Sequence, residues 1–223
     1  MNAFATELAV FDLDNTLLAG DSDYLWGQFL VDSGHVDRAR YEVANRRFFE
    51  QYKVGTLDIL EFSHFSLQPL TTLEPELRES LRRQFVEQRI RPVVAPGAAS
   101  LLNQHRKAGH DLLITTATNR FITAPIADLL GVDNLLATEP ELIDGRYTGA
   151  LTGTPNFREG KLIRLRQWLQ QRPHPYARIH AYSDSHNDLP LLELADQPAA
   201  VDPDPKLREH ALRVGWPVIS LRD

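Results

Sequence analysis

Two aspartates two residues apart, Asp12 and Asp14, stand where a short apolar run stops, in Phe11-Asp12-Leu13-Asp14-Asn15-Thr16-Leu17. Cores exclude unpaired charge, so carboxylates at the end of a buried strand need compensation. A divalent cation is one source of it. The other reading is an Asx-rich turn in which Asp14 and Asn15 bond nearby backbone. Where a metal and a cation mask phosphate charge, a carboxylate can attack phosphorus. Asp12 would then be the nucleophile of an aspartyl-phosphate, and Asp14 would protonate the leaving oxygen and deprotonate the incoming water. Thr16 would fix the loop.

Three later segments offer partners for that chemistry. Thr116 follows Leu112-Leu113-Ile114, where a hydroxyl and backbone N–H groups at a helix start can hold phosphate oxygens. Thr115 competes for the same assignment, and either residue also serves simply as a strand former or N-cap. Lys161 falls in the first turn of a helix, where its charge opposes the helix dipole, although most helix lysines are merely solvated. Tyr182-Ser183-Asp184-Ser185-His186-Asn187-Asp188 is a second acid-rich strand end. Asp184 would complete a cation's oxygen shell, and Asp188 would hold a metal-bound water or Lys161, unless it only caps a helix. Oxygen ligands with room for water favour Mg²⁺ over zinc.

These residues must be carried by buried strands. Leu8-Ala9-Val10-Phe11 is too short for a lone helix and fits a strand buried on both faces of a parallel sheet, whose carboxyl end is the usual ligand side. The alternation resumes with strands at 111–116 and 135–137, a hairpin centred on Asp144-Gly145, a helix over 159–169, a strand at 179–182, a helix over 189–195 and strands near 199–201 and 218–220. Such alternation predicts an α/β, Rossmann-like parallel sheet with right-handed crossovers. Residues 18–91 have helical spacing throughout and predict an inserted all-helical cap, so the α/β core comprises 1–17 and 92–223. Asp23 is the expected cap of the first inserted helix and Asp37 of the second. The second carries a basic face of Arg46, Arg47 and Lys53, solvated on the ordinary reading, with Arg46 a candidate substrate contact.

The chain has 223 residues, 43% of them hydrophobic and 24% charged, which is ordinary for a folded globular protein and leaves room for a domain with an insert. It has no cysteine, so disulfides, thiolate zinc sites and cysteine catalysis are excluded. A net charge of -6 without a basic stripe gives no reason to expect nucleic acid. No apolar run approaches membrane-spanning length and no leader pattern is seen, so the cytoplasm is the expected compartment and no membrane partner is expected. The oligomeric state is not legible.

The motifs resemble those of the haloacid dehalogenase-like phosphohydrolases, in the branch similar to phosphoserine phosphatase. Asp12-Leu13-Asp14-Asn15-Thr16 matches the family's DxDxT, Thr116 its strand-end hydroxyl, Lys161 its lysine, and Asp184-Ser185-His186-Asn187-Asp188 its DxxND. The resemblance implies Mg²⁺ held by Asp12, the backbone carbonyl of Asp14 and Asp184, with Asn187 and Asp188 behind them. It also implies a small-molecule phosphate ester as substrate, with phosphoserine and histidinol phosphate both fitting. Ala117 and Thr118 replace the two glycines that such phosphoserine phosphatases carry, which counts against phosphoserine. Asp21 stands where they have a substrate-binding glutamate; it is either an ammonium contact or a helix cap. The competing class is a non-catalytic Mg²⁺-binding phospho-acceptor or scaffold module on the same sheet, which would need neither a cap nor Asp14 as a proton carrier.

Overall fold

The computed structural model describes residues 6–223. Strands β1 (Leu8–Phe11), β2 (Asp111–Asn119), β3 (Asn134–Thr138), β6 (Ile179–Ser183), β7 (Gln197–Val201) and β8 (Val218–Ile219) form one sheet in the order β3-β2-β1-β6-β7-β8. Every pairing in it is parallel, with Phe11 beside Ile114 and Tyr182. β1 is thus central, and all four of its residues are fully buried, as an apolar run in a doubly covered sheet should be. Ala9 and Phe11 face one core layer, Leu8 and Val10 the other. The crossovers are helices α5 (Ala98–Lys107), α6 (Arg120–Leu130), α7 (Glu159–Gln170), α8 (Leu189–Leu194) and α9 (Pro205–Val214). The α/β expectation is met. The sequence reading has no counterpart of α9, although Asp204 caps it, accepting the Leu207 N–H at 2.9 Å.

Between β1 and β2 stand four helices, α1 (Ser22–Asp32), α2 (Arg38–Val54), α3 (Ile59–Thr72) and α4 (Pro75–Phe85). The chain leaves and re-enters the sheet region through neighbouring segments, for Leu18 pairs with Val94 and Ala19 N–H donates to the Val93 carbonyl at 2.6 Å. α1 is capped by Asp21, which accepts the Tyr24 N–H, and not by Asp23 as expected. Asp23 lies two residues on, in the first turn, where its carboxylate accepts the Ser66 hydroxyl of α3 at 2.7 Å. Asp37 does cap α2.

Two apolar contacts hold these helices on the sheet. Trp26 of α1 meets Phe85 and Phe121 edge-on, at 5.2 and 5.8 Å. Phe48, Leu57 and Phe157 form a smaller cluster, joined by Tyr52, Phe62 and Ala117, which spans from α2 and α3 to the sheet loops. The hairpin β4 (Pro140–Ile143) and β5 (Arg146–Leu151) turns at Asp144 and Gly145, both at positive φ, and packs β5 on α3. Gly55, in the left-handed region after α2, offers its carbonyl to the Arg158 guanidinium, which also donates to Asn187 at 3.1 Å.

Candidate active site

The β1 strand ends at Phe11, and its hydrogen bonding to β6 continues through the Asp12 N–H to the Tyr182 carbonyl at 2.9 Å, so Asp12 is placed by the sheet itself. The following loop turns back at Asn15, whose φ of 57° is left-handed, a conformation asparagine tolerates better than most residues. This brings Thr16 under both acid-bearing strand ends. Its hydroxyl lies 3.3 Å from Asp12 Oδ2 and 3.1 Å from Asp184 Oδ1, and it accepts the Asp184 N–H at 3.0 Å. One hydroxyl therefore joins the carboxylates at the ends of β1 and β6.

Lys161 reaches the same place from α7. Its ammonium donates to Asp12 Oδ1 at 2.6 Å and to Asp188 Oδ2 at 2.7 Å, with 3% of the lysine exposed. Ser183 Oγ donates to the same Asp188 oxygen at 2.7 Å, so the Asp188 side chain is spent on Lys161 and Ser183 and makes no cap of its own. Gly160 sets the approach of α7, because a Cβ there would overlap the Pro155 carbonyl oxygen. Asn156, fully buried, donates to Thr115 Oγ1 and to the carbonyls of Thr116 and Leu136, which ties the ends of β2 and β3 together.

The two candidate threonines of β2 thus part company. Thr115 faces Asn156, whereas Thr116 Oγ1 donates to Asp14 Oδ2 at 3.2 Å. Thr118 Oγ1 donates to the same oxygen at 2.8 Å, and the Ser22 N–H donates to Asp14 Oδ1 at 2.6 Å. Thr118, noted in the sequence only as a departure from glycine, is therefore a partner of Asp14. Because hydroxyls can turn from donor to acceptor, Thr116 and Thr118 can serve the Asp14 carboxyl with or without its proton.

Charge in this region is out of balance. Burial pushes the Asp12 carboxyl up to about 7; Lys161 opposes that, while Asp188 and Asp14 add to it. Burial, then Asp12 and Asp188, hold Asp184 well above the carboxylate range. Burial alone would pull Lys161 down, but Asp12 and Asp188 outweigh it and the ammonium stays firmly protonated. One ammonium thus serves Asp12, Asp184 and Asp188, the first two of which bear oxygens within reach of the Thr16 hydroxyl. A hard divalent cation at Asp12 and Asp184 fits this donor set, since oxygen is what Mg²⁺ takes and added positive charge is what the site lacks.

Beside these groups lies a pocket lined by Asp12, Asp14, Thr116 and Ala117 together with Asp21, Asp23, Tyr24, Asn45, Phe48, Phe49, Tyr52 and Phe62. Burial and nearby Asp14 raise Asp21 well above its usual range, and burial pushes Asp23 up to about 7 against the Ser66 hydrogen bond. Arg46 is exposed on α2 and is not among the lining residues; the α2 residues that line the pocket are Asn45, Phe48, Phe49 and Tyr52. In the sequence those aromatics read as ordinary helix core. Nothing in their spacing marks them as a site wall.

Known proteins share the family and the fold. The model of the haloacid dehalogenase-like hydrolase family matches residues 9–193. A histidinol-phosphatase of Neisseria meningitidis serogroup C is 43% identical over 219 residues, covering 96% of this chain and 99% of that protein. A crystal structure of a Bordetella pertussis Tohama I protein of unknown function superposes with a TM-score of 0.92 at 43% identity, over 97% of this chain and 99% of that one. A phosphoserine phosphatase captured as a phospho-aspartyl intermediate analogue has a TM-score of 0.71 at 18% identity, over 98% and 94%, and shares the fold.

Proposed function

The chain belongs to the haloacid dehalogenase-like hydrolases, and from that premise we propose that it is a phosphomonoesterase of small amine-bearing phosphate esters, with histidinol phosphate as the best-fitting substrate. The observation that carries the substrate reading is the lining of the cavity. Besides Asp12 and Asp14 it holds two acids, Asp21 and Asp23, and five aromatic rings, but no lysine or arginine among the described residues. A substrate ammonium would meet Asp21 or Asp23, and a flat imidazole ring would pack among Tyr24, Phe48, Phe49 and Tyr52. Phosphoserine would bring a carboxylate to acids with no cation to receive it, a repulsive arrangement.

In the first step an Asp12 oxygen attacks phosphorus, and the bond to the ester oxygen breaks. The electron pair goes to that oxygen, which takes a proton from Asp14. In the second step water gives a proton to Asp14 and attacks phosphorus, and the electron pair of the phosphorus–oxygen bond returns to Asp12. Lys161 holds Asp12 in line through the 2.6 Å contact and neutralises part of the charge that gathers on the phosphoryl oxygens. Thr116, freed from Asp14, offers its hydroxyl to one of those oxygens. When bound, Mg²⁺ would supply Lewis-acid charge at the phosphate, held by Asp12, Asp184 and the carbonyl of Asp14. The aromatic wall of α2 and the latch from Arg158 to Gly55 keep bulk water out, consistent with residues 18–91 acting as a cap.

The test is phosphate release from histidinol phosphate, phosphoserine and p-nitrophenyl phosphate, each with Mg²⁺ and with chelator. We expect histidinol phosphate to lead in kcat/KM by at least about tenfold, the scale of one charge-assisted contact, and chelation to abolish all three rates. Equal rates on phosphoserine would overturn the substrate reading.

A further inference from the structure

At the opposite end of the sheet three of the eight histidines come together with an acid. His105 is near the end of α5, His110 immediately precedes β2, His180 is the second residue of β6, and Glu7 immediately precedes β1. None of them belongs to the catalytic constellation. One ring nitrogen from each histidine lies within 4.8 Å of the other two. His105 Nδ1 is 2.8 Å from His110 Nδ1; Glu7 Oε2 is 2.7 Å from His180 Nε2 and 3.6 Å from His110 Nε2.

We propose that His105, His110 and His180 form a second metal site, for a divalent transition ion of the Zn²⁺ class, with Glu7 as an outer carboxylate that accepts from His180 Nε2. Three imidazoles, with the fourth position left to water, are a donor set that suits zinc and its neighbours and not Mg²⁺, which takes oxygen. Four-coordinate zinc with nitrogen at about 2.0–2.1 Å spaces its ligand atoms roughly 3.3 Å apart. The 2.8 Å contact between His105 Nδ1 and His110 Nδ1 needs to open by about half an ångström, within the reach of side-chain rotation. An outer partner is also in place: His105 Nε2 lies 2.9 Å from the Tyr182 hydroxyl, which can hold that nitrogen's proton and leave Nδ1 free for the ion. Access from solvent is open, because the side chains of His110, His180 and Glu7 are 17%, 16% and 25% exposed.

The ion would tie together the starts of β1, β2 and β6. Tyr182 stacks on Phe11 at 5.0 Å, and these two residues lie just before Asp184 and Asp12. The site therefore braces the strand ends that carry the catalytic acids, without touching substrate.

The experiment uses the full chain without a histidine tag, stripped with EDTA, reloaded with Zn²⁺ alone and dialysed. Metal content is measured for the unsubstituted protein, for Asp12→Asn/Asp184→Asn, and for His110→Ala and Glu7→Gln in that background. The double variant should keep about one zinc per chain and should melt at a higher temperature with Zn²⁺ than with Mg²⁺. His110→Ala and Glu7→Gln should each weaken zinc binding by at least about tenfold. Loaded with Co²⁺, the double variant should show the intense visible absorption of a four-coordinate centre. Absence of zinc from the double variant, zinc binding unaltered by His110→Ala or by Glu7→Gln, or the weak spectrum of a six-coordinate oxygen site would overturn the proposal. A His110→Ala chain that fails to fold leaves the double variant and Glu7→Gln to decide.

Discussion

Substituting Asp23 by asparagine should stabilise the metal-free protein at high pH and spoil its selectivity at the same time. Asp23 is 8% exposed, and burial raises its carboxyl from 3.8 to about 7. Because the folded chain holds this proton more tightly than the unfolded one, the group costs nothing at pH values below 3.8, and its penalty grows until pH passes about 7. A change from 3.8 to about 7 corresponds to about 4 kcal/mol, at about 1.4 kcal/mol per tenfold in proton affinity, of which about 2–3 kcal/mol develops between about pH 5 and pH 8. Asparagine keeps an oxygen for the Ser66 hydroxyl and has no charge to bury. In urea titrations the stability of Asp23→Asn relative to the unsubstituted protein should therefore rise by that amount across this range. The same variant should lose about 1.5–3 kcal/mol of transition-state binding for an amine-bearing ester, the value of a charged hydrogen bond, and almost none for p-nitrophenyl phosphate. A stability difference that is flat with pH, or equal losses on both esters, would refute the reasoning.

Lys161→Met should lower stability by about 3–5 kcal/mol, as removal of one member of a buried ion pair does, and urea titration at neutral pH measures it. Turnover should fall with it, and Lys161→Arg should not restore turnover, because the larger planar guanidinium cannot replace an ammonium seated between Asp12 and Asp188. Gly160→Ala should move α7 away from the Pro155 carbonyl and lower kcat at least about tenfold with little change in KM for p-nitrophenyl phosphate, since a shift near 1 Å can cost about a hundredfold.

What the sequence shows of this protein follows from how locally each signal is encoded. β1 and the start of β2 are legible because their residues are apolar without interruption, and the turn at Asp144-Gly145 because few residues accept its positive φ. α9 is harder to read, since only Leu207 and Ala211 are buried along it and the apolar periodicity is thin. Asp12, Asp14, Lys161 and Asp184 can be singled out because charged residues at strand ends and helix starts contradict their surroundings. The structure brings Asp12, Lys161 and Asp188 into direct contact and sets Asp184 across the Thr16 hydroxyl from Asp12. The roles of Asn156 and Thr118 had no such signal, because their partners lie 40 and 104 residues away. Arg46 lies exposed and outside the pocket lining for a related reason: a helix face is assigned by its neighbours, and a basic face looks the same from the sequence whether it meets substrate or water.

The division of labour between Asp12 and Asp14 is tested most directly by rapid-quench turnover of p-nitrophenyl phosphate. Its phenolate leaves without needing a proton, so Asp14→Asn should release nitrophenol in a burst approaching one equivalent. Hydrolysis of the phosphoenzyme should then slow by about 10²–10⁴-fold for want of the base. Asp12→Asn should give neither burst nor turnover, and an alkyl phosphate should give no burst with Asp14→Asn. Normal steady turnover by Asp14→Asn, or a burst from Asp12→Asn, would contradict the assignment of nucleophile and proton carrier.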